Sequence, residues 1–258
     1  MDLQLTDRLF IVCGASSGFG RAVSERLLSE GARIIAVARS KEKLDTLSSS
    51  YPEACSAVTG DLTQPETIDT IMNAAESRQL SGLVLNAGGP PPGPAESTTA
   101  DEWDQAYQKV FRWKTELTRQ ALPLMKRNGY GRVLFIESQS VKQPIANLAQ
   151  SNAMRAAIAG YAKTLSQEVA SEGITVNLLA PGSHNTPAIE RVIKSRQESW
   201  AVNYDEARSR MEANVPVGRF GEAGELASLA AWLLSAHSSY VTGQVISHDG
   251  GNINGLFG

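Results

Sequence analysis

Short unbroken apolar runs alternate along the chain with stretches in which apolar residues recur three or four positions apart. The first kind comprises RLFIVCG (8–14), ARIIAVA (32–38), CSAVTGDL (55–62), LSGLVLNAG (80–88), GRVLFIES (131–138), GITVNLLAPG (173–182) and GQVISHDGG (243–251). Their length and Val/Ile/Leu content predict strands, and their lack of polar alternation predicts burial on both faces. The second kind begins with FGRAVSERLLSEG, where Phe19, Val23 and Leu27 stand four apart and Gly31 is placed to stop a helix. Buried strands separated by helices imply a parallel sheet, and right-handed crossovers place helices on both of its faces. No internal repeat and no linker divides residues 1–258, so a single domain is expected.

Two segments interrupt this rhythm. GGPPPGPAES (88–97) holds too much Pro and Gly for helix or strand and predicts a stiff loop after the fourth strand. Residues 183–219 are long for a connection after the sixth strand. They carry Ile189, Val192 and Ile193 at helical spacing, with Trp200, Tyr204 and Met211 beyond. A lid over an apolar substrate is one reading of this segment; a subunit contact or plain helix packing is the other.

Composition narrows the class. Hydrophobic residues make up 42% of the 258 and charged residues 20%, with a formal net charge of -3, which argues against a general affinity for nucleic acid. A chain of this length builds its core without disulfides or metal. Cys13 lies in an apolar run and reads as a small buried hydrophobe, and two Cys with three His lack the spacing of a zinc site. MDLQLTDR has no signal-peptide core, and no apolar run nears the roughly 20 residues of a membrane span. The expectation is a cytoplasmic protein with no metal and no membrane partner.

The candidate chemistry starts at CGASSGFG. Glycines 14, 18 and 20 sit between the first strand and the first helix. Glycine there allows positive φ and lets backbone N–H groups approach a phosphate, and the helix N-terminus adds partial positive charge. The Gly-x-x-x-Gly-x-Gly spacing resembles the cofactor loop of the short-chain dehydrogenase/reductase family. Asp61-Leu62 resembles its acidic pair near the adenine, and LNAG (85–88) its Asn-Asn-Ala-Gly with Leu first. Asn177 and Pro181-Gly182 match the sixth-strand signature, Thr186 falls where the family's Thr holds the nicotinamide amide, and VPVGRFG and TGQVISHDGG resemble its C-terminal signatures.

The resemblance spans nearly the whole chain. It implies a Rossmann-type, doubly wound parallel α/β sheet of about seven strands, a nicotinamide cofactor, a small-molecule substrate and a homo-oligomer, tetramer or dimer. The residues expected at the cofactor are Gly14, Ser16, Ser17, Gly18, Phe19, Gly20, Asp61, Leu62, Asn86, Ala87, Gly88, Pro181, Gly182 and Thr186, with Arg39 and Ser40 added by the charge argument that follows.

Charge selects the nucleotide. An acid at the end of the second strand would bind a ribose hydroxyl and repel a 2′-phosphate. Here the run is AVARSKEK: Ala38 offers no carboxylate, Arg39 can fork onto a phosphate, and Ser17, Ser40 and Lys41 can assist. NADP(H) is favoured over NAD(H).

At the reaction centre the sequence departs from the family. The family's Ser is met by Ser138. Its Tyr-x-x-x-Lys position, thirteen residues on, holds Ser151 and Arg155, and its upstream Asn position, counted from Trp103, holds Val110. A phenol titrates near pH 10 and a neighbouring cation can lower it into range, whereas a serine hydroxyl is a far weaker acid and Arg stays protonated. Tyr161, nearly three helical turns on, should not reach the same place.

Three explanations follow. A substitute acid supplies the proton, with His184 the first candidate and Glu137 and Lys142 behind it. Alternatively, water supplies it while Ser138 and Arg155 polarise the carbonyl. Or the protein binds NADP(H) without turnover, as a sensor or scaffold. The pairing of Gly-Gly-Pro-Pro-Pro-Gly with Ser-Asn-x-x-Arg resembles an atypical subgroup of the family, similar to 3-oxoacyl-carrier-protein reductases; that similarity implies a reaction class, hydride transfer to or from a carbonyl or secondary alcohol, and no particular substrate.

Overall fold

The computed structural model describes residues 1–256, so the last two residues of the expected 1–258 domain lie outside the described residues. The first half of the chain builds β1 (Leu9–Cys13), α1 (Gly18–Ser29), β2 (Arg33–Ala38), α2 (Lys41–Ser50), β3 (Cys55–Thr59), α3 (Pro65–Glu76) and β4 (Leu80–Asn86). Next come α4 (Ala100–Tyr107), a π-helical turn at Gln108–Arg112, α5 (Trp113–Arg127), β5 (Gly131–Ile136), α6 (Ala149–Val169) and β6 (Ile174–Pro181). The chain then forms β7 (His184–Asn185), α7 (Pro187–Trp200), α8 (Tyr204–Ala213), β8 (Gly221–Glu222), α9 (Ala223–Leu234) and β9 (Val245–His248).

Seven strands form one parallel sheet in the order β3-β2-β1-β4-β5-β6-β9, as the apolar runs predict. Successive side chains of β1 point to opposite faces and enter two separate cores. Leu9, Ile11 and Cys13 pack with Ile71 of α3, Leu117 of α5 and Ile158 of α6. Phe10 and Val12 pack with Val23 and Leu27 of α1, Leu44 of α2 and Leu226 of α9. Each fully buried aliphatic contributes about 1.5–3 kcal/mol, so both helical layers are held by the same strands. Cys13 is a free, buried thiol whose ionisation burial pushes up to about 12, the inert small hydrophobe its position implies.

Strand order positions the site. β1 lies between β2 and β4, so the chain leaves β1 toward one side of the sheet and leaves β4 toward the other. The crevice between these connections, outside the strands' carboxyl ends, is where an open α/β sheet binds its ligand.

The two irregular segments behave differently. Of residues 88–97, expected to form neither helix nor strand, 88–94 form neither, Ala95–Ser97 make a short 3-10 turn, and Gly93 is bridged to Leu148 just before α6. Residues 183–219 fold on themselves, with Ile189, Ile193, Ala207, Val215 and Phe220 forming a third small core against Trp200, Tyr204 and Met211. β7 and β8 tie the two ends of this excursion together. Among the described residues, no helix is long and apolar enough to cross a membrane.

Candidate active site

The glycine bend after β1 is shaped by contacts no other residue tolerates. Gly14 has φ +70°, and a Cβ on it would meet Asn86 Nδ2 and its carbonyl oxygen, both at 2.7 Å. A Cβ on Gly20 would lie 2.2 Å from the Gly14 carbonyl oxygen. Gly18, at φ +54°, rests 3.7 Å from Thr186 by the same construction, so the bend, the end of β4 and the segment after β6 converge. Ser17 caps α1 without a side-chain hydrogen bond, and the first turn carries no acid. Its leading amides are left to accept an anion.

The flanking residues suit a dinucleotide. Gly88 is exposed and faces open space. Asp61 Oδ1 accepts from Thr63 N at 2.9 Å and Thr63 Oγ1 at 2.8 Å; these bonds hold its carboxyl below the usual range. Ala38 is buried at the end of β2, and Arg39 beside it is exposed, with no hydrogen bond or salt bridge among the described residues. Ser16 is half-buried, Ser17 exposed, and Ser40, the residue before α2, makes no side-chain cap bond. Leu62, Asn86, Ala87 and Gly182 are half-buried and Pro181 buried along the same crevice. Open amides, an uncovered glycine and an exposed arginine fit a phosphorylated dinucleotide.

Ser151 and Arg155 lie one turn apart on α6, as i,i+4 spacing requires. Arg155 Nε donates to Ser151 Oγ at 3.0 Å and its Nη1 donates to Glu137 Oε2 at 2.8 Å. The other Glu137 oxygen accepts from Lys114 Nζ. Glu137 follows β5 and its side chain is wholly buried, as is that of Lys114; the Arg155 side chain is 9% exposed. Burial presses the Lys114 ammonium below the ordinary lysine range, with Glu137 opposing that shift. Ser138, the next residue along, is half-buried, and its hydroxyl accepts from Ser140 N at 3.1 Å. Chain alternation thus turns Glu137 inward beneath the crevice and brings Ser138 toward its surface.

The loops beside this cluster are fastened to one another. Asn152 Nδ2 donates to Ile145 O at 2.8 Å and Asn152 Oδ1 accepts from Ile145 N at 3.3 Å, closing the loop between β5 and α6. Gly93 N donates to Asn147 O at 2.8 Å, joining the proline-rich loop to it.

His184 keeps different company. Its ring packs edge-on to Phe19 of the glycine bend, with centroids 5.0 Å apart, and stacks on His248. Its Nδ1 lies 3.1 Å from Gly182 O and its Nε2 2.8 Å from His248 Nδ1. A carbonyl only accepts, so Nδ1 carries the proton and Nε2 of the neutral ring accepts from His248. Burial lowers the His184 pKa, which keeps the ring neutral. Both nitrogens are occupied, and none of these contacts joins Ser138, Ser151 or Arg155. A cavity of about 350 Å³ beside His184, Arg219 and Asp249 is likewise lined by none of those three.

Glu137 cannot serve as an acid either, because Lys114 and Arg155 occupy both oxygens. Lys142 is partly buried, which lowers its pKa against the attraction of Asp249. Tyr161 packs against Phe111 and Phe135. Lys114 was not anticipated from sequence. Its signal was a lysine on the apolar stripe of Val110, Lys114 and Leu117, matched by an acid directly after an apolar strand.

A family model described as enoyl-(acyl carrier protein) reductase matches residues 14–252. The NADPH-dependent reductase BacG of Bacillus subtilis is 28% identical over 98% of this chain and 100% of its own length. A putative ketoacyl reductase of Streptomyces coelicolor is 33% identical over 93% of this chain and 95% of its own. The crystal structure of L-sorbose reductase from Gluconobacter frateurii, complexed with NADPH and L-sorbose, superposes with a TM-score of 0.93 at 26% identity, covering 99% of this chain and 100% of that one.

Proposed function

Because the chain belongs to the short-chain dehydrogenase/reductase family, we propose that it is an NADP(H)-dependent oxidoreductase whose Ser151 and Arg155 stand in for the family's tyrosine and lysine. The reaction is hydride transfer between nicotinamide and a carbonyl or secondary alcohol. The carrying observation is the Arg155 Nε to Ser151 Oγ hydrogen bond. It fixes the hydroxyl as an acceptor toward Arg155, so its own proton is free to point into the crevice.

The glycine bend and the first turn of α1 hold the pyrophosphate, Arg39 holds the 2′-phosphate, and Asp61 and Leu62 flank the adenine. Thr186, Asn86, Ala87 and Gly88 border the nicotinamide half. Bound nicotinamide supplies the hydride. The hydroxyls of Ser138 and Ser151 donate to the carbonyl oxygen, and Arg155, through its Nε bond to Ser151 Oγ, holds that hydroxyl in place. Such preorganised donors account for about 10²–10³ in rate each. Neither serine hydroxyl gives up its proton near neutrality, so solvent neutralises the developing alkoxide. Residues 183–219 act as the lid, and the chain works as a homo-oligomer.

The test is NADPH oxidation across a panel of ketones, aldehydes and oxo acids. Turnover is expected, falling about 10²–10³-fold in kcat/KM in Ser138→Ala and Ser151→Ala and persisting in His184→Phe. Tight NADPH binding with no turnover anywhere on the panel overturns the reading.

A further inference from the structure

Gly89 has no positive φ to explain it, yet a Cβ there would lie 3.1 Å from Arg155 Nη2 and 3.5 Å from Ser151 Oγ. The residue is exposed, in the loop leaving β4. A side chain at this position would therefore cover the one guanidinium nitrogen that has no partner among the described residues. Nε is committed to Ser151 and Nη1 to Glu137, whereas Nη2 has no partner among the described residues.

Charge makes the same point independently. Lys114, Glu137 and Arg155 form a buried cluster of two cations and one anion. Among the described residues no second carboxylate pairs with them, so the cluster carries one positive charge in excess, and Nη2 is its open face. An unpaired buried charge is costly, and an anion arriving at Nη2 removes that cost.

From this we infer that the substrate is a 2-oxo acid, or the matching 2-hydroxy acid, whose carboxylate is gripped by Arg155 Nη2. The inference rests on the reductase reading and deepens it. Ser151 Oγ and Arg155 Nη2 both lie within 3.5 Å of the one point a Gly89 Cβ would take, near enough to address two oxygens on neighbouring carbons. The hydroxyl takes the reacting carbonyl and the guanidinium takes the carboxylate. The carbonyl gains a hydride at carbon and a solvent proton at oxygen, giving a 2-hydroxy acid and NADP⁺. The carboxylate is unchanged throughout. Charge-assisted bonds of this kind change affinity about 10- to 100-fold.

Two measurements on the full chain test it. The first is calorimetry of oxamate, a 2-oxo-acid analogue that cannot be reduced, titrated into protein saturated with NADPH. The second is kcat/KM for 2-oxohexanoate against its methyl ester and 2-hexanone. Oxamate is expected to bind wild type and to weaken at least about 10-fold in Gly89→Ala and in Arg155→Leu. The latter leaves a neutral Lys114–Glu137 pair and should fold, which its thermal midpoint checks. The acid should exceed both neutral substrates about 10- to 100-fold in kcat/KM. Oxamate binding lost in these variants supports the inference even if no substrate turns over, which would sink only the reductase reading. Equal turnover of acid and neutral ketone without oxamate binding, or oxamate binding untouched in Arg155→Leu, overturns the inference and leaves reduction standing.

Discussion

Replacing Glu137 by Gln removes the one anion from a site that keeps two cations. The perturbation is severe because solvent cannot help: the Lys114 and Glu137 side chains are 1% and 0% exposed and that of Arg155 is 9%. Breaking a buried pair by deleting one partner costs about 3–5 kcal/mol. For a chain of this size, at about 2 °C per kcal/mol, that is a drop of roughly 6–10 °C in thermal midpoint. Lys114 can limit the loss by shedding its proton, because burial already lowers its pKa and Glu137 is what opposes that shift. A base whose folded pKa lies below its unfolded one binds fewer protons when folded, so the variant regains stability as pH rises toward the ordinary lysine range and loses it as pH falls. Adding Lys114→Met restores the wild-type net charge of the cluster and should recover at least half of the lost midpoint. Thermal unfolding by circular dichroism at several pH values reads all of this. A single variant within about 1 °C of wild type at neutral pH, or one that grows less stable as pH rises, refutes the reasoning.

The other predictions are simpler perturbations. Arg39→Asp should shift the NADPH/NADH preference toward NADH by about 10- to 100-fold in kcat/KM, since it removes a phosphate partner and installs a repelling charge; unchanged NADPH affinity defeats the charge argument. Gly20→Ala places a Cβ 2.2 Å from the Gly14 carbonyl and should weaken NADPH binding by at least about 100-fold by displacing the bend's amides, read by fluorescence titration. His184 has a folded pKa below its ordinary 6.5, so wild-type stability should fall as pH drops through and below that value, where the unfolded chain takes up a proton the folded one resists. His184→Phe should flatten that limb in pH-dependent unfolding, and an unaltered limb counts against the neutral, buried ring.

Most of the fold was legible because it is written in local pattern. The strands RLFIVCG and GITVNLLAPG carry no polar alternation, and burial on both faces is the only arrangement that suits them. The glycine bend was legible for a similar reason: three glycines between a strand and a helix admit few readings. The floor of the pocket was not. Lys114 and Glu137 lie 23 positions apart, and nothing local to either says that they meet. His184 looked like a free loop imidazole, and only the return of β9 beside β6, which brings His248 against it, reveals a ring with both nitrogens engaged. The segment 183–219 showed its apolar residues but not its folding-back onto a small core of its own.

The dependence of kcat/KM on pH for carbonyl reduction by the wild-type protein tests most directly whether this pocket works without a titrating side-chain acid. The site predicts a flat profile between about pH 6 and 9, because the groups that donate to the carbonyl, Ser138 and Ser151, are hydroxyls that do not titrate in that range. A limb within that range that vanishes when a single side chain of the pocket is replaced would identify a proton donor and contradict it.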